Sequence, residues 1–143
     1  MLRRIAIALD ESAEAARAFR SALELAKLAS AELYAITVIE SFPAYISYVS
    51  AAAPEMTRLL KDERRAFYED LQARAKLEAE QSGIALHTEL AEGSEIETIL
   101  KIIDGISPDL LVVGLRHEPG LRLMGGTAHQ LAVHAKCNML GVR

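Results

Sequence analysis

Tryptophan is absent from this 143-residue chain, and cysteine occurs once. A lone thiol excludes an internal disulfide and any zinc cluster built on cysteines. Aromatics are scarce as well: Phe and Tyr make up 5% of the residues, a composition that suits helix-on-sheet packing better than a face of stacked rings. Positive charge is in deficit, with 16 Lys and Arg against 20 Asp and Glu. The formal charge of −4 argues against nucleic-acid binding by counterion release, which needs a basic surface. Long apolar runs are missing too, since the longest uncharged stretch, Ser41 to Pro54, falls short of the ~20 residues of a membrane span. The apolar run after Met1-Leu2-Arg3-Arg4 is too short for a secretory core. The expectation is one soluble cytoplasmic domain over 1–143, with no nucleic-acid and no membrane partner.

What the chain does have is aliphatic mass: 51% of it is hydrophobic, carried by Ala, Leu, Ile and Val. Short apolar runs at Ile5–Leu9, Leu33–Ile39 and Leu110–Val113 read as strands covered on both faces. Ile84–Leu90 alternates and reads as a half-buried edge strand, and Asn138–Val142 reads as a terminal strand. Helical periodicity lies between them. The first helix presents Ala15, Phe19, Ala22, Leu23 and Ala26 on one face. The second runs from Pro54 to about Ser82, with Met56, Leu59, Leu60, Phe67 and Leu71 inward and Gly83 closing it. Ser94-Glu95-Ile96-Glu97 reads as a capping box for a third helix with Ile96, Ile99, Leu100 and Ile103 buried, stopped by Pro108. Thr127-Ala128-His129-Gln130 reads as a capping box for a fourth, with Ala128, Leu131, Ala132 and Ala135 inward. The order βαβαβαβαβ predicts a doubly wound α/β domain with a parallel sheet and helices on both faces.

In such a sheet, ligands bind beyond the carboxyl ends of the strands. That rule singles out Asp10 to Ser12, Glu40 to Pro54, and Gly114 to Thr127. The last segment carries Gly114, Gly120, Gly125 and Gly126 before a helix start, with Arg116, His117 and Arg122 alongside. Glycines let backbone N–H groups approach an anion, and a helix N-terminus adds donors and partial positive charge. A turn followed by an N-cap accounts for the same residues equally well. Neither a Walker loop nor a dinucleotide fingerprint is present. The four histidines are scattered and predict no metal site. Phe42, Tyr45 and Tyr48 cluster in an uncharged loop that reads as a lid, a partner surface, or packing onto a helix. Cys137 reads as a small buried hydrophobe.

Several of these segments together carry a family resemblance. Ile5-Ala6-Ile7-Ala8-Leu9-Asp10-Glu11-Ser12, Val112-Val113-Gly114 followed by Gly126-Thr127, and His134-Ala135-Lys136-Cys137 resemble the universal stress proteins, over the whole chain. The resemblance implies an adenine-nucleotide alpha-hydrolase-like fold, with a five-stranded sheet in the order 3-2-1-4-5. It also implies a homodimer through the C-terminal strand (138–143). It further implies ATP or another adenine nucleotide, with or without Mg2+, at the carboxyl ends of strands 1, 2 and 4. The binding residues implied are Ala8, Leu9, Asp10, Val38, Val113, Gly114, Arg116, His117, Gly125, Gly126, Thr127 and Ala128. Two departures stand out: His117 falls where the family has a second glycine, and the run to Gly126 is one residue short. A side chain where backbone must approach phosphate takes room, so altered or weaker nucleotide binding is expected.

The function expected is a dimeric, nucleotide-responsive regulatory module acting on an unknown protein partner. The alternative is a nucleotide-independent stress-response scaffold with a degraded phosphate loop. An ATPase has less behind it, because the sequence shows no general base beside the glycine loop.

Overall fold

The computed structural model describes residues 1–116 and 126–143. The expected positions His117, Gly120, Arg122 and Gly125 lie outside the described residues. Five strands and five helices follow one another as β1 (Arg4–Ala8), α1 (Ala13–Ala29), β2 (Glu32–Glu40), α2 (Ile46–Ala52), α3 (Pro54–Gln81), β3 (Leu86–Gly93), α4 (Glu95–Ile106), β4 (Leu110–Gly114), α5 (Thr127–His134) and β5 (Asn138–Val142). The strands pair in parallel in the order β3-β2-β1-β4-β5, as expected.

Two apolar layers sandwich the sheet. Ile5, Ile7, Leu33, Ala35 and Val112 point to one face and meet Ala18, Phe19, Ala22 and Leu23 of α1 with Ala75 and Ala79 of α3. Ala6, Ile36, Leu111 and Val113 point to the other face and meet Ile99 and Ile103 of α4 with Leu131 of α5. The alternation along each strand thus serves two cores at once, which is why the strands read as unbroken apolar runs. Small residues on α1 let its axis lie close to the sheet. The chain enters α1 through Ser12, whose hydroxyl accepts from Ala15 N–H at 3.1 Å. β1 is anchored at its other end by Asp109, whose Oδ2 accepts from the N–H groups of Arg3 and Arg4 at 2.7 and 2.9 Å. Those two bonds, Arg4's first, hold the Asp109 carboxyl below its usual range.

Helix α3 corrects the expected pattern. Of the residues expected inward, Met56, Leu59, Leu60 and Phe67 are exposed, and Leu71 is only partly buried. The buried positions are Thr57, Gln72, Ala75 and Ala79. The reason is which face turns inward: Thr57, Arg64, Tyr68, Gln72, Ala75 and Ala79 share the inner face along the helix, and Met56, Leu59, Leu60 and Phe67 turn away from it. Only the C-terminal part reaches the sheet, where Gln72 Nε2 donates to the Glu89 carbonyl of edge strand β3 at 2.7 Å. The N-terminal half stands past the carboxyl ends of the strands and packs against α2, a short helix with no buried residue in a segment read as loop. α3 ends as Gly83 predicts, with that glycine at φ +77° and Ile84 N–H donating to Ala79 O at 2.9 Å.

Neither expected capping box forms. Ser94 precedes α4 but its side chain makes no cap bond. α5 begins one residue earlier relative to its cap than expected: Gly126 is the N-cap, Thr127 is already helical, and no side chain caps the end. Leu131 is fully buried, Ala128 and Ala135 are half-buried, and Ala132 is exposed, because this two-turn helix touches the core along one narrow line.

Candidate functional site

The carboxyl ends of β1, β2 and β4 diverge into a cleft of about 830 Å³. This is where the strand order reverses, since β1 leads to β2 on one side and meets β4 on the other. Ten expected positions line it: Ala8, Leu9 and Asp10 after β1, Val38 in β2, Val113 and Gly114 in β4, Arg116 beyond it, and Gly126, Thr127 and Ala128 at the start of α5. His117 and Gly125 lie outside the described residues. Of the aromatic cluster, Tyr45 and Tyr48 are exposed and Phe42 lies under Arg64, so none of the three lines this cleft.

The glycines divide by role. A Cβ on Gly114 would sit 2.5 Å from the Glu14 carbonyl carbon and 2.8 Å from Ala15 N, backbone atoms of the first turn of α1. Gly114 is therefore what lets α1 start directly against the end of β4. Gly126 is different: a Cβ there would meet none of the described residues within 4 Å, and its φ of −80° suits any residue. Packing against the described residues gives no reason for that glycine, and it lines the cleft.

Asp10 has a structural task of its own, since its Oδ1 accepts from Ser12 N–H at 2.8 Å and fixes the turn from β1 into α1. That task orients the carboxylate at the floor of the cleft.

The sequence reading missed an acidic wall and two side chains from α3. Glu11, Glu14, Glu40 and Glu95 join Asp10 in the lining, against Arg64 and Arg116. Glu40 ends β2 and so lay within a segment singled out by the strand-end rule. Arg64 and Tyr68 gave no such signal. Arg64 Nη1 donates to the Glu40 carbonyl at 2.8 Å, with its guanidinium carbon 5.0 Å from the Phe42 ring centre. One turn on, Tyr68 Oη donates to Glu11 Oε2 at 3.1 Å. These two bonds tie α3 to the ends of β2 and β1 along one side of the cleft.

Burial raises the Glu95 carboxyl above its ordinary 4.5, and the neighbouring Glu40 and Asp10 push in the same direction while Arg116 opposes them. The folded state therefore holds a proton at Glu95 that the unfolded chain releases, and stability falls as the pH rises above 4.5 through the raised value. Glu95→Gln, neutral at every pH, is expected to melt above the wild type at pH 7. The difference should vanish in melts run below pH 4.5, where both side chains are uncharged. Among the described residues no group of His, Cys, Asp and Glu is arranged to hold a metal ion, and no helix is long and apolar enough to cross a membrane.

Comparisons with known proteins agree with this architecture. A universal stress protein of Methanocaldococcus jannaschii is 30% identical over 146 aligned positions, covering all of this chain and 83% of its own length. The UspA protein of Lactobacillus plantarum superposes with a TM-score of 0.79 at 25% identity, covering 99% of this chain and 98% of its own. A universal stress protein family member of Arabidopsis thaliana, solved with AMP bound, shares the fold with a TM-score of 0.71 at 18% identity, covering 98% of this chain and 90% of its own. The sequence profile of the universal stress protein family matches residues 1–143, and the chain belongs to that family.

Proposed function

We propose that the chain is a regulatory module that binds an adenine nucleotide in this cleft and presents the consequence to a protein partner. The observation that carries the reading is Gly126, a glycine that neither packing against the described residues nor backbone conformation requires, set at the N-terminus of α5 in the lining of the cleft. Backbone N–H groups there, with Arg116 nearby, suit a phosphate. The Arabidopsis relative holds AMP in the same fold, which supports the nucleotide class.

Electrostatics favours a particular orientation. The N–H donors gather at the α5 N-terminus beyond β4, and the Asp10 and Glu40 carboxylates stand at the ends of β1 and β2, so the anionic end lies toward α5 and the base toward β2. The same carboxylates make a polyphosphate harder to hold than a monophosphate, and Mg2+ offsets that charge when ATP is the ligand.

The module is proposed to work as a homodimer through β5. Among the described residues that strand pairs with β4 alone, and Leu140 on it is exposed.

Melting the full chain with millimolar AMP, cAMP, or ATP with and without Mg2+ tests the binding. A ligand at 100 times its Kd adds about 2.7 kcal/mol to the folded state and raises the Tm by several degrees. A rise with an adenine nucleotide and none with GMP is the expected outcome. No rise with any of the three adenine nucleotides contradicts the reading.

A further inference from the structure

A second cavity of about 390 Å³ opens beside the first, between the end of β2, α2 and the overhanging half of α3. Glu40 and Arg64 line both, so the two spaces meet across a shared wall. Most of its lining comes from the Glu40 to Pro54 segment that the strand-end rule singled out, and the proposed function does not use it. Lys61 and Glu92 stand in its lining as well, and the remaining surface is mixed in a way that suits an apolar organic group. Ile39, Phe42 and Ile46 supply apolar contact, Ser50 and Thr57 supply hydroxyls, and the Arg64 guanidinium lies over the Phe42 ring at the junction.

What reaches this cavity follows from the charge pattern. β2 and β4 flank β1 on opposite sides. A nucleotide whose phosphate sits at α5 therefore lies across β1, with its base over the β2 end, beside Glu40. The edge of the base farthest from the ribose then faces the shared wall. On adenine, that edge carries the exocyclic amine. A substituent on the amine leaves one N–H, which the Glu40 carboxylate can accept, and projects past Glu40 into the second cavity.

We propose that this second cavity is a subsite for an apolar substituent on the exocyclic amine of a bound adenine nucleotide, so that the ligand class of the cleft includes N6-alkyl and N6-arylalkyl adenine nucleotides. The proposal rests on the nucleotide reading above. Calorimetric titration of the full chain with AMP and with N6-benzyl-AMP tests both and separates them. The benzyl derivative is expected to bind about tenfold more tightly than AMP, the gain from burying one apolar ring. Ser50→Trp, which fills the cavity from α2, should erase that gain and leave AMP affinity within about twofold. Ala44→Leu narrows the same cavity from the exposed loop and should reduce the gain, which covers the case of a tryptophan variant that fails to fold. Weaker binding of N6-benzyl-AMP than of AMP to the wild type overturns the subsite while leaving the nucleotide reading intact. An undiminished benzyl preference in a folded, filled variant also overturns it. Failure of AMP itself to bind overturns the nucleotide reading, and the subsite with it.

Discussion

Gly114→Ala is expected to lower the Tm by roughly 10 °C, the equivalent of about 3 kcal/mol in a chain of this size. The added methyl group would stand 2.5 Å from the Glu14 carbonyl carbon and 2.6 Å from its oxygen. These are backbone atoms of a helix, so no side-chain rotation relieves the contact, and α1 must move bodily. Ala15, Ala18, Phe19, Ala22, Leu23 and Ala26 are all buried along that helix, and a shift of the first turn loosens each of them. Gly126→Ala is the control. Its methyl group meets none of the described residues within 4 Å, and the Tm should stay within about 1 °C of the wild type. Melts of the three proteins followed by circular dichroism decide the matter. Equal, small shifts for both glycines would show that Gly114 is not a packing residue.

The second large effect is on ligand affinity. Gly126→Asp places a carboxylate at the α5 N-terminus, where it fits the space, takes the phosphate position and competes for the same N–H groups. AMP affinity should fall about 100-fold, close to 2.7 kcal/mol, while the Tm without ligand is kept or slightly raised by the new N-cap. That separation of stability from affinity distinguishes a binding glycine from a structural one. Calorimetric titration gives the affinity, and a ligand-free melt gives the stability.

The parallel sheet and the buried faces of α1 and α4 were legible in the sequence because they depend on local periodicity, whereas the strand order followed from the family resemblance. Ile5, Ile7, Leu33 and Leu111 belong to continuous apolar runs that only a doubly covered sheet can hide. The inward face of α3 was not legible. Met56, Leu59 and Phe67 keep helical spacing, yet the face that turns inward runs through Thr57, Arg64, Tyr68 and Gln72. Periodicity reports which apolar residues share a face, and it is silent when the inner face is polar. That polar face brings Arg64 and Tyr68 to the cleft, which is why neither could be found from apolar spacing. The strand-end rule located the cleft and ten of its expected lining residues. Glu11 and Glu40 fall in segments that the rule singled out, whereas Glu14 and Glu95, in the first turns of α1 and α4, join them only in the fold. Gly114 and Gly126 looked alike in the sequence as members of one glycine loop. Their surroundings separate them, one against the α1 backbone and one in the lining of the cleft.

The most direct test of nucleotide binding in this cleft is to follow the backbone amide resonances of the full chain during titration with AMP. The account predicts saturable shifts concentrated at residues 8–10, 38–40, 113–116 and 126–128, the ends of β1, β2 and β4 and the start of α5, with β5 and the far ends of the strands unmoved. Absence of shifts at millimolar AMP, or a set of shifts centred away from those segments, would contradict it.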